Sequence, residues 1–566
     1  MSRKKHFEFR GAEFASSESG NAAMIFGLSL VPVILMLAAT ADYTRFTITR
    51  ARLQQAVDAG VLAAAGQMTA STTLDQARAQ ATRIIQAQPT MATAVVSNPR
   101  IVNNQSFCVD AQIALSSSIL KISTLPANLT PSVTACADMA GTVSPDTTYE
   151  IALVLDNSGS MSRSTDGQSK MQALQSAAKS FVTTMFSKTQ KVKVAVTPFA
   201  ANVVAVDPSD RSEPWMDTQG QSSQHWIAFG DKTAANNAGF NSRFDIFSKL
   251  KARNSQLDWR GCFEALTYPK NVNDTTPSAG DPDSLLVPYL APDEPNKKKR
   301  SWSYNNSYLN DSSAPCVDTP TTEWPLLTHV CKYNATGSLS GSFGPTNFSG
   351  SSSFCPDPTT QAILQLNGTE QTINSKIGQL VANGNTNLHE GFMWGWRTIS
   401  PNGPFAAGRA YSTVNNRKVM VFMTDGFNNW GSQPGTVVGS NYEAAGYYSY
   451  NGQANIRMPD GTQGDHVNYR DQLKAAGVNS SDYHSTSRDA QDELTREACT
   501  NAKTQGIEVF TIGFSISTDP IDQQGLDLLK SCATNEAHYF AATDTSQLNA
   551  AFASIGVALG KLHLSL

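Results

Sequence analysis

An apolar run, Ile151–Leu155, ends directly in Asp156-Asn157-Ser158-Gly159-Ser160. The pattern predicts a buried strand that stops in a tight polar turn. Such a turn gathers one carboxylate and two hydroxyl groups, and hard oxygen ligands of this kind suit Mg²⁺, Ca²⁺ or Mn²⁺ better than zinc or copper. The alternative interpretation is an ordinary turn in which Asp156 or Ser158 caps the next helix.

Two later segments favour the metal interpretation. Residues 418–426 predict a second buried strand that ends in an acidic turn at Asp425, and residues 384–391 precede it with several polar side chains. Taken alone, Asn387 with Glu390 could form a capping box, and the turn at Asp425 could be an ordinary one.

In their order along the chain, the three segments resemble the von Willebrand factor A-type family and its metal-ion-dependent adhesion site. The resemblance implies that Thr386 is the metal-binding threonine of the second segment. The full implied set of metal ligands is Asp156, Ser158, Ser160, Thr386 and Asp425. It also implies a protein-binding function in which a partner presents a carboxylate to the ion, without catalysis.

Two other functions remain as alternatives. A metal-dependent hydrolase needs a general base or an activated nucleophile near the ion. The sequence has no Gly-x-Ser-x-Gly and no His-Glu-x-x-His motif, since His389-Glu390 lacks the second histidine. The other alternative is a structural component of pilus assembly whose metal site is vestigial. A net charge of −4 gives no reason to expect nucleic-acid binding.

The amino-terminal region predicts a membrane anchor. Residues 22–41 are mostly apolar and uncharged, and as a helix they would extend about 30 Å, enough to cross a bilayer core. The alternative is a cleaved signal peptide, because residues 39–41 have the form of a cleavage site. A retained anchor is favoured because a helical apolar stripe continues beyond the span, at Leu53, Val57, Val61, Ala64 and Met68.

Residues 20–26, Asp42 and residues 53–64 resemble the amino-terminal segment of TadG-type proteins of bacterial Tad (Flp) pilus assembly. The resemblance implies a single-pass protein of the bacterial inner membrane. Residues 1–21 would then be cytoplasmic, and the large domain would lie in the periplasm or at the surface. Other Tad pilus-assembly components become candidate partners.

The eight cysteines predict disulfide bonds. None forms a Cys-x-x-Cys pair, and an even number in a chain with a membrane segment is typical of an oxidising compartment. Their positions suggest three groups, and the last of them predicts a bond between Cys499 and Cys532. The groups are Cys108 with Cys136, then Cys262, Cys316, Cys331 and Cys355, then Cys499 with Cys532.

Strands and helices alternate after residue 149, which predicts an α/β fold with a mostly parallel, doubly wound sheet of the von Willebrand factor A type. A small α+β region, residues 42–140, would precede it, after the transmembrane helix. The domain at 149–566 would carry large insertions at about 201–370 and 427–487. Both insertions should leave from the carboxyl ends of strands, where ligands of such sheets bind.

Overall fold

The structure is a computed structural model of the 566-residue chain. It describes residues 18–65, 68, 72–102, 106–116, 128–138, 147–189, 191–295, 306–309, 327–336, 339, 344, 346, 355–429, 436–437, 441–447 and 483–559. The chain divides into two compact units, one formed by Met1–Pro145 with Ala558–Leu566 and the other by Asp146–Val557.

The first unit combines two helices with a small antiparallel sheet. The helices are α1 (Glu18–Ala65) and α2 (Leu74–Gln86), and a 3-10 turn follows at Pro89–Met91. The sheet has the order β1 (Val95–Val102), β2 (Ser106–Gln112) and β5 (Ser132–Asp138), and a short ladder pairs β3 (Leu115–Ser116) with β4 (Asn128–Leu129).

The predicted helical stripe forms part of the core of this unit. Leu53, Val57, Val61, Ala64 and Met68 are buried and belong to one cluster with residues of α2, β2 and β5. Cys108 and Cys136 stand opposite each other on β2 and β5 and are disulfide-bonded. The sequence did not predict β1, because a register shift between Ser97 and Arg100 interrupts its alternation.

The predicted span at residues 22–41 lies within α1, but most of its side chains are outside the described part of the structure, as are residues 1–17. Among the described residues, no helix is both long and apolar enough to cross a membrane.

The second unit is built on a six-stranded sheet of order β10-β9-β6-β11-β12-β13, in which only β10 runs antiparallel to its neighbour. Its strands are β6 (Thr148–Asp156), β9 (Val192–Phe199), β10 (Leu364–Asn367), β11 (Asn416–Thr424), β12 (Glu508–Phe514) and β13 (Tyr539–Ala542). A small hairpin pairs β7 (Ser164–Thr165) with β8 (Gln168–Ser169).

The helices of this part are α3 (Lys170–Lys188), α4 (Lys232–Asn237), α5 (Arg243–Arg253), α6 (Pro358–Gln361), α7 (Glu370–Gly378), α8 (Leu388–Ile399), α9 (Tyr483–Thr504), α10 (Gln523–Cys532) and α11 (Thr545–Leu559). Short 3-10 turns lie at Gly159–Ser162, Lys270–Val272, Pro282–Ser284, Val330–Asn334 and Glu536–His538.

Helices cover both faces of the sheet. Side chains alternate between the faces of a strand, and every residue of Ile151–Asp156 in β6 is fully buried. Helix α8, which is buried along its whole length, contacts β6, β9 and β11, and α9 packs against α8 and α10. The α/β class and the mostly parallel sheet are therefore as predicted.

The first insertion follows β9 and shares the core of the sheet. Trp215, Trp259 and Phe263 belong to the same buried cluster as β6 and α8, and the rings of Phe263 and Trp394 lie 6.0 Å apart. A disulfide joins Cys262 to Cys355, and Cys331 is also disulfide-bonded. Cys316 lies outside the described residues. The insertion itself contains α4 and α5, and its last residues form α6 and the short edge strand β10, which the sequence placed inside the insertion.

Most of the second insertion lies outside the described residues, but residues 436–437 and 441–447 pack against the first insertion. Ala265 N donates to Ala444 O at 2.8 Å, and the hydroxyl of Tyr289 donates to Tyr442 O at 2.5 Å. The described residues of the second insertion are therefore hydrogen-bonded to the first insertion. Cys499 of α9 is bonded to Cys532 of α10, which confirms that predicted pair.

Candidate functional site

Asp156 is the last residue of β6, and the parallel neighbours of β6 bring two other strand ends beside it. In the register of the sheet, Asp156 stands opposite Phe199 of β9, and Leu155 stands opposite Met423 of β11. Parallel strands end at the same edge, so the turn at Asp425 and the first residues of both insertions meet at this edge.

The Asp156–Ser160 segment folds back as a tight loop and enters the 3-10 turn. Ser158 N donates to Asp156 Oδ1 at 2.7 Å, which fixes the carboxylate within its own loop. The hydroxyl oxygens of Ser158 and Ser160 lie 3.0 Å apart. Neither Asp156 nor Ser158 caps α3, because Ser169 is the N-cap of that helix. Ser158 does occupy the N-cap position of the 3-10 turn, but its side chain makes no capping hydrogen bond there.

Backbone hydrogen bonds hold the Thr386 segment against this loop. Gly159 N donates to Gly384 O at 2.8 Å, and Asn383 N donates to Asn157 O at 2.8 Å. A Cβ at Gly159 would stand 3.2 Å from Gly384 O, so the close approach of the two loops favours glycine there. Asn387 caps α8 by accepting from Glu390 N at 3.0 Å, but Asn387 N donates to Ala200 O rather than to the Glu390 side chain, so the expected capping box is only half formed.

Thr386 and Asp425 complete the group of predicted residues. A Cβ on Gly426 would lie 3.5 Å from Thr386 Oγ1, which places the threonine hydroxyl beside the acidic turn. Ser160 Oγ donates to Asp425 Oδ1 at 2.7 Å. The structure thus gathers all five predicted residues from three separated segments, and all of them except the half-buried Ser160 are buried.

Burial and a neighbouring negative charge disfavour ionisation of Asp156. Complete burial raises the pKa of its carboxyl to about 7, and the negative charge of Asp425 acts in the same direction. Hydrogen bonds from Thr424, whose Oγ1 donates to Asp156 Oδ2 at 2.6 Å, and from Ser158 act against this shift in pKa. A cation between the two aspartates would relieve their repulsion.

The chemistry of the five side chains fits a hard divalent cation. All their donor atoms are carboxylate or hydroxyl oxygens, the ligand type that Mg²⁺, Ca²⁺ and Mn²⁺ prefer. Among the described residues there is no group of three or more histidine, cysteine, aspartate or glutamate side chains arranged to hold a metal. The five-residue site, with its two carboxylates and three hydroxyls, is of another kind.

Three charged residues at this site were missed by the sequence reasoning. The ammonium of Lys170 donates to Asp425 Oδ2 at 2.7 Å and to Asp519 Oδ2 at 2.6 Å, and Asp519 also pairs with Arg163. The available signal was the helical apolar periodicity that begins at Met171, because it places Lys170 at a helix start, where a cation is unfavourable without a partner. No local pattern pointed to Asp519.

Two family models match parts of the chain. Residues 20–67 match the model described as Putative Flp pilus-assembly TadE/G-like, and residues 151–233 match the von Willebrand factor type A domain. The comparison with curated proteins found no match.

Solved structures similar to the chain include three bacterial pilus proteins. The pilus adhesin SpaC from Lactobacillus rhamnosus GG is 12% identical, with 83% of this chain and 34% of that chain covered and a TM-score of 0.30. The PilB minor pilin from Streptococcus sanguinis is 12% identical, with coverages of 82% and 78% and a TM-score of 0.32. The vWF domain of the type V pili tip protein Mfa5 from Porphyromonas gingivalis is 10% identical, with coverages of 73% and 95% and a TM-score of 0.30.

This chain spans about a third of the length of SpaC. The chain combines a TadE/G-like segment of the Flp pilus-assembly family with a von Willebrand factor type A domain.

Proposed function

We propose that the protein is a membrane-anchored, metal-dependent protein-binding component of Tad (Flp) pilus assembly or surface attachment. The observation that supports this most directly is the convergence of Asp156, Ser158, Ser160, Thr386 and Asp425 at one edge of the sheet. The TadE/G-like match over residues 20–67 supports the pilus context.

In this proposal, hydroxyl oxygens of Ser158, Ser160 and Thr386 hold the ion, and Asp156 and Asp425 balance its charge directly or through water. The bound ion would supply the positive charge that attracts a carboxylate. Hydrogen bonds hold the two carboxylates in position: Ser158 N donates to Asp156, and the Ser160 hydroxyl donates to Asp425. An aspartate or glutamate of a partner protein is the expected ligand.

The insertions are placed to select the partner. The first begins after Phe199 of β9 and the second after the turn at Asp425, so both start at the edge that carries the five residues. Asn385, next to Thr386, donates from Nδ2 to Glu443 Oε1 of the second insertion at 2.9 Å. A partner that reaches the ion would therefore meet insertion residues, and we assign its specificity to them.

We further propose that residues 22–41 anchor the chain in the bacterial inner membrane, with residues 1–21 in the cytoplasm and the large domain in the periplasm or exposed at the surface. The disulfides Cys108–Cys136, Cys262–Cys355 and Cys499–Cys532 support an oxidising compartment for both units.

The proposal excludes catalysis as the main role. His389 is the one histidine within the three site segments, and it is buried with its Nε2 at 2.7 Å from Asn271 O. Burial lowers the pKa of this imidazole to about 4, so His389 is uncharged at neutral pH and engaged in the core. A hydrolase therefore has less support than the second candidate, a structural component with a vestigial metal site.

A cation-dependent pull-down from the native cell envelope tests the proposed function. The full-length protein should capture its partner in Mg²⁺ or Mn²⁺ and release it in EDTA, and Asp156→Ala should capture none. Asp527→Ala, which removes an exposed carboxylate of α10, is the matched control and should behave as wild type. Equal capture by wild type and Asp156→Ala would favour the structural role instead.

A further inference from the structure

Lys170 is a buried cation inside the candidate site. Its side chain is 0% exposed, although it is the first residue of α3, where the helix dipole disfavours positive charge. The ammonium lies 2.7 Å from Asp425 Oδ2 and 2.6 Å from Asp519 Oδ2. Burial of an unpaired ammonium would be strongly unfavourable, so these two carboxylates keep Lys170 in place.

The charges continue from Lys170 to the protein surface. Asp519 follows β12 and is 17% exposed, and it also pairs with Arg163, whose side chain is 58% exposed. Arg163 is tied to the start of α3, because Lys170 N donates to Arg163 O at 2.9 Å. Opposite charges thus alternate from the candidate ligand Asp425 through Lys170 and Asp519 to Arg163.

This arrangement changes the charge that a bound ion would meet. Asp156 and Asp425 alone would neutralise a divalent cation. Lys170, Asp519 and Arg163 together add one positive charge, so the loaded site would keep a net positive charge. Lys170 and Asp425 are shielded from water, where charges at these separations interact strongly, whereas the exposed Arg163 is screened by solvent. A residual positive charge weakens the hold on the ion and strengthens the attraction for a carboxylate.

We propose that Lys170 is a positioning residue that lowers the affinity of the site for its cation and thereby keeps the bound ion attractive to a partner carboxylate, while Asp519 limits this effect. The inference rests on the proposed function, because it requires that the five-residue site binds a divalent ion.

Calorimetric titration of the full-length protein with Mn²⁺ alone tests the inference, with the heat of Asp156→Ala subtracted as the blank. Lys170→Met should bind Mn²⁺ about tenfold more tightly than wild type, because a positive charge is removed beside Asp425. Asp519→Asn should bind more weakly, because Lys170 then interacts with Asp425 alone. The double variant should lie between the two single variants.

If Lys170 has only a structural role, its replacement loosens Asp425. The Lys170→Met variant should then bind Mn²⁺ no more tightly than wild type. Lys170→Gln keeps hydrogen-bond donors without the charge. If Lys170→Met does not fold, the Mn²⁺ affinity of Lys170→Gln is measured in its place. At saturating Mn²⁺, the tighter-binding Lys170 variant should capture less envelope partner than wild type.

Each outcome bears on one of the two proposals. If wild type and Asp156→Ala respond equally to Mn²⁺, the proposed function fails, and this inference fails with it. If wild type binds Mn²⁺ through Asp156 but the folded Lys170 variant binds equally or more weakly, only the role of Lys170 is overturned. Unchanged partner capture at saturating Mn²⁺ overturns it too.

Discussion

The hydroxyl of Ser160 donates a 2.7 Å hydrogen bond to Oδ1 of Asp425, a residue 265 positions further along the chain. The contact joins the loop after β6 to the turn after β11, and these parallel strands are direct neighbours in the sheet. The candidate site therefore exists only in the folded chain, and its properties can be separated experimentally from those of the unfolded polypeptide.

Ion binding to the folded site should raise thermal stability. At an ion concentration of 100 times the dissociation constant, the free energy of unfolding should increase by about 2.7 kcal/mol. Asp156→Ala should abolish this increase while leaving the ion-free fold largely intact, and Asp425→Asn should reduce it. Differential scanning calorimetry with and without Mn²⁺ measures both. Equal increases in wild type and Asp156→Ala would place the ion elsewhere.

The packing of α8 on the sheet predicts a large effect of a small substitution. A Cβ on Gly395 would lie 2.2 Å from Val154 Cγ2 of β6, so Gly395→Ala should destabilise the fold by about 1–3 kcal/mol. Gly378→Ala in α7 is the matched control, because its methyl group would meet only the flexible end of Lys179. Urea denaturation compares the two, and similar midpoints would contradict the close packing of α8.

Much of this fold could be predicted because its central strands are long and apolar. The apolar segments at 151–155 and 418–424 became β6 and β11. The short edge strand β10 was missed, since its four residues are only partly buried and carry little periodic signal.

The candidate site, like the fold, could be predicted only in part. Asp156 and Asp425 could be placed together because each ends a strand predicted to be parallel to the other. Lys170 and Asp519 could not, because their ion pair joins residues 349 positions apart, and no local spacing encodes such a tertiary contact. Whether the five residues bind an ion stays a prediction.

The Cys499–Cys532 disulfide should contribute substantially to stability. It closes a loop of 33 residues between α9 and α10, and constraint of the unfolded chain by such a loop is worth about 3–4 kcal/mol. The double variant Cys499→Ala/Cys532→Ala should unfold at a correspondingly lower urea concentration. Peptide mapping of the non-reduced wild type provides the control, and free thiols at both positions would refute the pairing.

The proposed topology predicts the protease sensitivity of the large domain in spheroplasts. If residues 22–41 span the membrane with residues 42–566 outside the cytoplasm, protease added to spheroplasts should digest the large domain. A cytoplasmic protein should stay intact until the spheroplasts are lysed. Full protection of the large domain before lysis, followed by digestion afterwards, would reverse the proposed orientation.

Glu294 predicts a pH dependence that is independent of the ion site. It is fully buried between the insertions, where it accepts hydrogen bonds from the Tyr447 hydroxyl at 2.6 Å and from Val437 N at 2.9 Å. Burial raises the pKa of its carboxyl to about 7, with a smaller contribution from Asp293, while these hydrogen bonds and Lys332 oppose the shift.

Because the folded-state pKa of Glu294 exceeds the value of 4.5 for an unperturbed glutamate, its stabilising contribution is complete below pH 4.5 and is lost as the pH rises through about 7. The loss amounts to about 3 kcal/mol at most. Glutamine resembles the protonated acid. Between pH 5 and pH 8, the melting temperature of Glu294→Gln should therefore fall less than that of wild type. Glu493→Gln, at an exposed position of α9, should follow wild type. Identical pH profiles for Glu294→Gln and wild type would show that Glu294 does not titrate in this range.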